Sequence, residues 1–231
     1  MIAIAGVLMA LMLPALSTAK EKSRRSVCAD NIRNVVYALT MYGGDYNEFL
    51  PSATDNRGDY HSIVLSSVTY SNLVDDYLYG ESNILYCPNL VQSTGTMGGY
   101  NPQTGYTIGY SYLAAADLPA TAKGPDETWT GPVRTTEAGE VFADANYWSK
   151  TSSQALTVAP HTASSSVALM STLTSPSITP VSATPTPGSS STAMGAVGGN
   201  IGSLDDSVIW RPIRLMNQYS ASLDGTANGN W

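Results

Sequence analysis

The sequence predicts an α+β chain: a long N-terminal α-helix, apolar in its first half, packed on a small antiparallel β-sheet body. Three observations carry the prediction. Residues 1–19 contain no charged side chain. Residues 20–42 keep apolar positions three and four apart, the period of one helix face. Beyond residue 100 the pattern changes to short runs of β-formers separated by Gly, Asn and Asp.

The apolar head reads MIAIAGVLMALMLPAL over residues 1–16. Nineteen helical residues at ~1.5 Å each span about 28 Å, close to the hydrocarbon core of a bilayer. A secretory signal peptide, a plain membrane anchor and a buried core helix compete for this segment. A signal peptide calls for basic residues ahead of the apolar run, and none precede it. A buried helix fits a near-continuous apolar terminus least well. Pro14 withholds one backbone donor and is expected to kink the helix. We therefore read residues 1–19 as the transmembrane half of the N-terminal helix.

Residues 20–43 form its amphipathic half. Cys28, Ile32, Val35, Val36, Leu39 and Tyr42 share one face. Charges are assigned to the other face, with Glu21 four residues before Arg25. Gly43-Gly44 supplies a stop. The whole helix should run about 42 residues, or roughly 63 Å.

Residues 44–150 read as a compact α+β body. A loop is expected over 45–60, a short helix at Tyr70–Tyr79, and strands at Tyr106–Leu113 and Gly139–Trp148. Residues 151–197 form an uncharged insertion, and 162–194 hold 17 Ser or Thr and four Pro in 33 positions. That composition predicts a disordered surface loop, with or without O-glycosylation. Residues 198–231 read as a C-terminal hairpin and tail, with strands at Asn200–Leu204 and Ser207–Arg211 around Asp205-Asp206. Two-residue turns favour Asp-Gly, so Asp206 predicts a strained or longer turn.

Composition limits the function. The chain has 231 residues, 43% hydrophobic and only 13% charged, with a net charge of −7. Five of the eleven basic residues lie between Lys20 and Arg33, leaving six basic and sixteen acidic residues beyond. An acidic body argues against nucleic-acid binding. No nucleophile elbow, P-loop or dinucleotide fingerprint is present, and no small-molecule substrate or enzyme activity is indicated.

The run from Ile2 to Pro51 resembles the start of type IV pilin-like proteins. It is most similar to pseudopilin-like proteins with a prepilin-type cleavage/methylation segment, of the planctomycete and verrucomicrobial type. The matching residues are Leu13-Pro14-Ala15-Leu16, the basic stretch Lys20 to Arg25, Cys28, Asn31-Ile32, Met41-Tyr42, Asp45 and Leu50-Pro51. The resemblance returns at Tyr86-Cys87-Pro88 and again near the C-terminus. It implies a pilin-like fold and a structural subunit of a type II secretion or type IV pilus-like assembly. The partners would be the membrane, other pilin-like subunits and the assembly machinery. The chain would sit in the inner membrane as a single-pass protein, its body in the periplasm or in an extracellular filament. Aligned on the Leu-Pro-Ala-Leu element, Met1 falls inside the family's apolar helix, so the resemblance places the leader and first mature residues upstream. The alternative is a non-polymerising, membrane-anchored or secreted module that binds a glycan or protein of the envelope.

Cys28 and Cys87 both lie in family-like contexts and form a disulfide candidate for an oxidising compartment. The closed loop of about 60 residues would contribute ~4 kcal/mol in the chain-entropy account. The other reading is two buried small hydrophobes. No cofactor is indicated. The resemblance brings calcium into question, because major pseudopilins of type II secretion bind it in a C-terminal loop. Its candidates are Asp144, Asn146, Asn200, Asp205 and Asp206, although Asp and Asn in turns are ordinary turn chemistry. His61 and His161 lack the paired spacing of a zinc motif.

Overall fold

The structure is a computed structural model that describes residues 2–90, 99–115, 131–149, 156–162, 168–171, 190–193, 195–222 and 227–231. In the first helix the side chains are described from residue 12 onward, Pro14 excepted.

The N-terminal helix α1 runs unbroken from Ile2 to Asp45, through Pro14 and two residues past the predicted boundary at 43. Cys28, Ile32, Val35, Val36 and Leu39 are fully buried, as their spacing predicts. Each buried aliphatic chain contributes ~1.5–3 kcal/mol relative to exposure. Upstream the helix leaves the body, and Met12, Leu13 and Leu16 are about two-thirds exposed at 70, 68 and 67%. Among the described residues no helix is long and apolar enough to cross a membrane. The side chains of residues 1–11, most of the predicted span, lie outside that description.

Among the described residues, the body that follows is three small antiparallel sheets rather than one. β1 (Val64–Leu65), β2 (Tyr100–Asn101) and β3 (Gly105–Thr107) form the first, in the order β1-β3-β2. β4 (Tyr110–Tyr112), β5 (Glu140–Asp144), β9 (Gly198–Ser203) and β10 (Val208–Pro212) form the second, ordered β10-β9-β5-β4. The third is ordered β11-β12-β6-β7-β8, from β6 (Asn146–Ser149), β7 (Leu156–Ala159), β8 (Ala168–Ser171), β11 (Gln218–Ser220) and β12 (Ala227–Asn230).

Both long predicted strands divide. Tyr106–Leu113 breaks at Ile108-Gly109 into β3 and β4, and Gly139–Trp148 breaks at Ala145 into β5 and β6. Each break passes the chain from one sheet to the next. The predicted helix at Tyr70–Tyr79 starts earlier, as α2 (Ser67–Ser71), and widens into a π-helical turn over Asn72–Tyr77. The Ser66 hydroxyl caps α2 by accepting from Thr69 N at 3.1 Å. Past Asp45, which closes α1, the expected loop over 45–60 holds no strand or helix beyond isolated bridges.

The second sheet receives α1. A Cβ at Gly202 would lie 2.5 Å from Ile32 Cγ2 and 2.9 Å from Val36 Cγ2, so glycine is what lets the helix seat this deeply on β9. Against the predicted insertion, two strands occupy the uncharged tract: β7, and β8 within the Ser/Thr-rich part. β8 is paired residue for residue with β7, from Leu156↔Ser171 to Ala159↔Ala168. Residues 172–189 of the predicted loop lie outside the described chain.

The hairpin turn is longer than the two-residue reading. Ser203 N donates to Ser207 O at 3.0 Å, leaving Leu204, Asp205 and Asp206 as a three-residue loop. Asp206 has φ 63°, the left-handed position that such loops usually give to glycine.

Candidate metal centre

Beneath the docked face of α1, four segments bring together Cys28, Cys87, Asp144 and His161. Their ligand atoms (two sulfurs, a carboxylate oxygen and a ring nitrogen) all lie within 4.8 Å of one another. All four side chains are buried, at 0, 0, 1 and 0% exposure. This is the one such group found among the described residues.

Each side chain is placed by its own segment. Cys28 follows from the apolar period of α1. Cys87 follows a 3-10 turn at Ser82–Leu85. Gly109 N donates to Leu85 O at 2.9 Å. A Cβ at Gly109 would fall 2.8 Å from Cys87 N, so the close crossing of the two backbones requires glycine. Asp144 closes β5, opposite Tyr110 of β4. Its Oδ2 accepts from Asn200 N at 2.6 Å and Asn200 Nδ2 at 3.0 Å. Asn200 Nδ2 also donates to Arg25 O at 3.2 Å, tying β9 to α1.

His161 lies just past β7. Its Nδ1 is 2.7 Å from Glu21 Oε1. Glu21 accepts further bonds from Arg25 Nε and Asn89 Nδ2, both at 3.1 Å. Asn89 Nδ2 also donates to Pro160 O at 2.8 Å, holding the His161 segment in place. Trp210 of β10 stands edge-on to the imidazole at 5.5 Å between centroids. The Arg25 guanidinium lies 4.2 Å over the Trp210 ring, a cation–π contact that covers the cluster from the solvent side.

Two atoms of the cluster have no hydrogen-bond partner: His161 Nε2 and Asp144 Oδ1. His161 Nε2 lies 3.3 Å from Asp144 Oδ2, an ion-pair distance without hydrogen-bond geometry. A buried polar atom left unpaired costs ~1–3 kcal/mol. The two sulfurs are 3.0 Å apart and unbonded.

Charge is concentrated here. Burial disfavours the imidazolium, but Asp144 and the acceptors around the ring outweigh it and raise His161 to about 12. Burial alone would raise the Glu21 carboxyl, yet the His161 contact and the Asn89 and Arg25 donors bring it below its ordinary value. The hydrogen bond with Cys87 and burial push the Cys28 thiol up. Burial also opposes ionisation of Cys87, but Cys28 and His161 pull it down to about 7.

The predicted residues fare differently. Cys28 and Cys87, the disulfide candidates, lie with their sulfurs 3.0 Å apart as free thiols. The five calcium candidates do not form one oxygen cage. Asp144, Asn146 and Asn200 are buried, while Asp205 and Asp206 are exposed in the hairpin loop. Asp205 Oδ1 accepts from Ser207 N at 3.1 Å, which is turn chemistry. The Asn146 amide nitrogen is 3.5 Å from Gly198 O and 3.8 Å from Met216 Sδ. Pro14 lies inside α1, and its side chain is outside the described residues.

Sequence reasoning missed His161, Glu21 and Asn89. Glu21 does not lie on the charged face assigned to it but is buried at 4% exposure. It sits seven residues, two helical turns, before Cys28, and that spacing is the signal that would have found it. Compared with family models, curated proteins and solved structures, the chain matches none.

Proposed function

We propose that the chain is a pilin-like structural subunit of a type II secretion or type IV pilus-like assembly in the cell envelope. The observation that supports this reading is the division of α1. One 44-residue helix docks its C-terminal half on the body, and the residues described just before that half, 12, 13 and 15–20, are exposed. Met12, Leu13 and Leu16 are exposed on that stem, and the residues before them are almost wholly apolar. Such a stem needs a cover, and lipid or the stems of neighbouring subunits supply one. The basic collar at Lys20, Lys22, Arg24 and Arg25 sits where the stem meets the body, suited to lipid head groups. In this reading the stem is held in the inner membrane and then packs against other stems, while the bodies form an outer shell in the periplasm or outside the cell. No enzymatic step is assigned.

The test is a photo-crosslinking amino acid at Leu16, in cells that express the chain from its native locus. Crosslinks to a second copy, or to a membrane protein of the assembly machinery, support the proposal. A chain recovered only as an uncrosslinked monomer outside the membrane fraction refutes it, and favours a secreted binding module.

A further inference from the structure

We propose that Cys28, Cys87, His161 and Asp144 bind one zinc-class divalent cation, which fastens α1 to the body. The ligand chemistry selects the metal. Two thiolates and an imidazole suit a borderline-soft cation such as zinc, whereas calcium and magnesium take all-oxygen sets. A single carboxylate oxygen completes four positions, the number that zinc fills in structural sites.

The geometry agrees in three ways. The four ligand atoms already lie within 4.8 Å of one another. A tetrahedron with zinc–ligand bonds of about 2.0–2.3 Å has edges of roughly 3.3–3.8 Å, so closing around the ion needs only small side-chain adjustments. The sulfurs open slightly from their 3.0 Å separation, toward the edge expected of a zinc-bound pair.

His161 Nε2 lacks a hydrogen-bond partner and lies 3.3 Å from the Asp144 carboxylate, whose Oδ1 is likewise unpartnered, so both groups keep an electron pair open to an ion. Their sister atoms are already committed elsewhere. Glu21 Oε1 takes Nδ1 of His161 at 2.7 Å, the outer carboxylate that orients a metal-bound histidine and leaves Nε2 for the ion. Asn200 holds Oδ2 of Asp144 with two N–H groups. Glu21 and Asn200 thus hold the ring and the carboxylate in place beside the thiol pair while leaving each a free donor atom.

Four protein ligands and full burial leave no coordination position for water or substrate, so the role is structural. The ligands come from α1, the segment after the 3-10 turn, β5 and the segment after β7. One ion would therefore join the helix to parts of the chain more than 100 residues away (Cys28 to His161). The site stands whether or not the chain polymerises.

The full chain, solubilised in detergent and purified under reducing conditions without chelator, should carry one equivalent of zinc by plasma mass spectrometry. Zinc-edge X-ray absorption should give two sulfur and two nitrogen or oxygen neighbours. Cobalt(II) exchanged into the wild-type chain should show intense visible bands of a tetrahedral ion and a thiolate-to-cobalt charge-transfer band. Cys87→Ser and His161→Gln should each lower zinc content at least tenfold, and the spectroscopy on unmutated protein keeps the test valid if either variant misfolds. A wild-type chain with both thiols reduced and under a tenth of an equivalent of zinc overturns the proposal. So does a Cys28–Cys87 disulfide in protein from the native source, or full zinc content in both variants.

Discussion

Glu21 and His161 are 140 residues apart in the chain and meet at 2.7 Å in the buried core. The contact joins α1 to the segment that follows β7. It explains why a carboxylate is buried on a face otherwise made of Cys28, Ile32, Val35 and Leu39.

The first prediction concerns Glu21. Glu21→Gln keeps the shape and one acceptor but removes the charge that orients His161. Zinc affinity, read by competition with a chromophoric chelator, should fall about 10–100-fold with the stoichiometry kept at one. Unchanged affinity would mean that Glu21 plays no part in positioning the imidazole.

Metal removal gives the second prediction. At a free zinc concentration a thousand times its Kd, binding contributes about 4 kcal/mol to the folded state. For a chain of this size that is roughly 8–16 °C in melting temperature. Thermal scans of the reduced protein with zinc and with excess chelator should differ by that amount, and the difference should vanish in Cys87→Ser.

The seat of the helix supplies the third. Gly202→Val would drive methyl groups into Ile32 and Val36, since a Cβ alone would lie 2.5 Å from Ile32. The expected loss is about 1–3 kcal/mol or more, measured by denaturant unfolding. A neutral result would mean that α1 does not rest on β9 in solution.

Asp206→Gly carries the fourth. Asp206 holds φ 63° in the hairpin loop, where glycine avoids the left-handed penalty. The substitution should stabilise by up to ~1 kcal/mol, or about 2–4 °C, with zinc binding unaffected.

Leu8→Asp is the fifth. A carboxylate near the middle of the apolar stem costs about 2.5–3.5 kcal/mol on insertion scales, and membrane retention by fractionation should be lost. Retention equal to wild type would argue that the stem is not in lipid.

Much of the fold was legible because its signals are local. The period of α1 named its buried face, and the Asp205-Asp206 pair marked the hairpin turn to within a residue. The cysteine pair was also found, from context rather than spacing. What escaped is tertiary. Nothing local to His161 indicates that it will meet Asp144, because β7 lies between them and carries the chain back across the third sheet. Glu21 was assigned to the solvent side because charge outweighed position, yet its two-turn offset from Cys28 places it on the core face. β8 escaped because its composition predicts disorder, whereas its pairing along β7 supplies the backbone partners that composition does not reveal.

We propose that the apolar stem stays attached and serves as the membrane and assembly element of a pilin-like subunit. Mass spectrometry of the mature N-terminus, on protein expressed from its native locus, tests it most directly. The account predicts a mature chain that retains residues 2–19 and carries an N-methylated first residue. A start near Lys20, or an unmodified Met1, would contradict it.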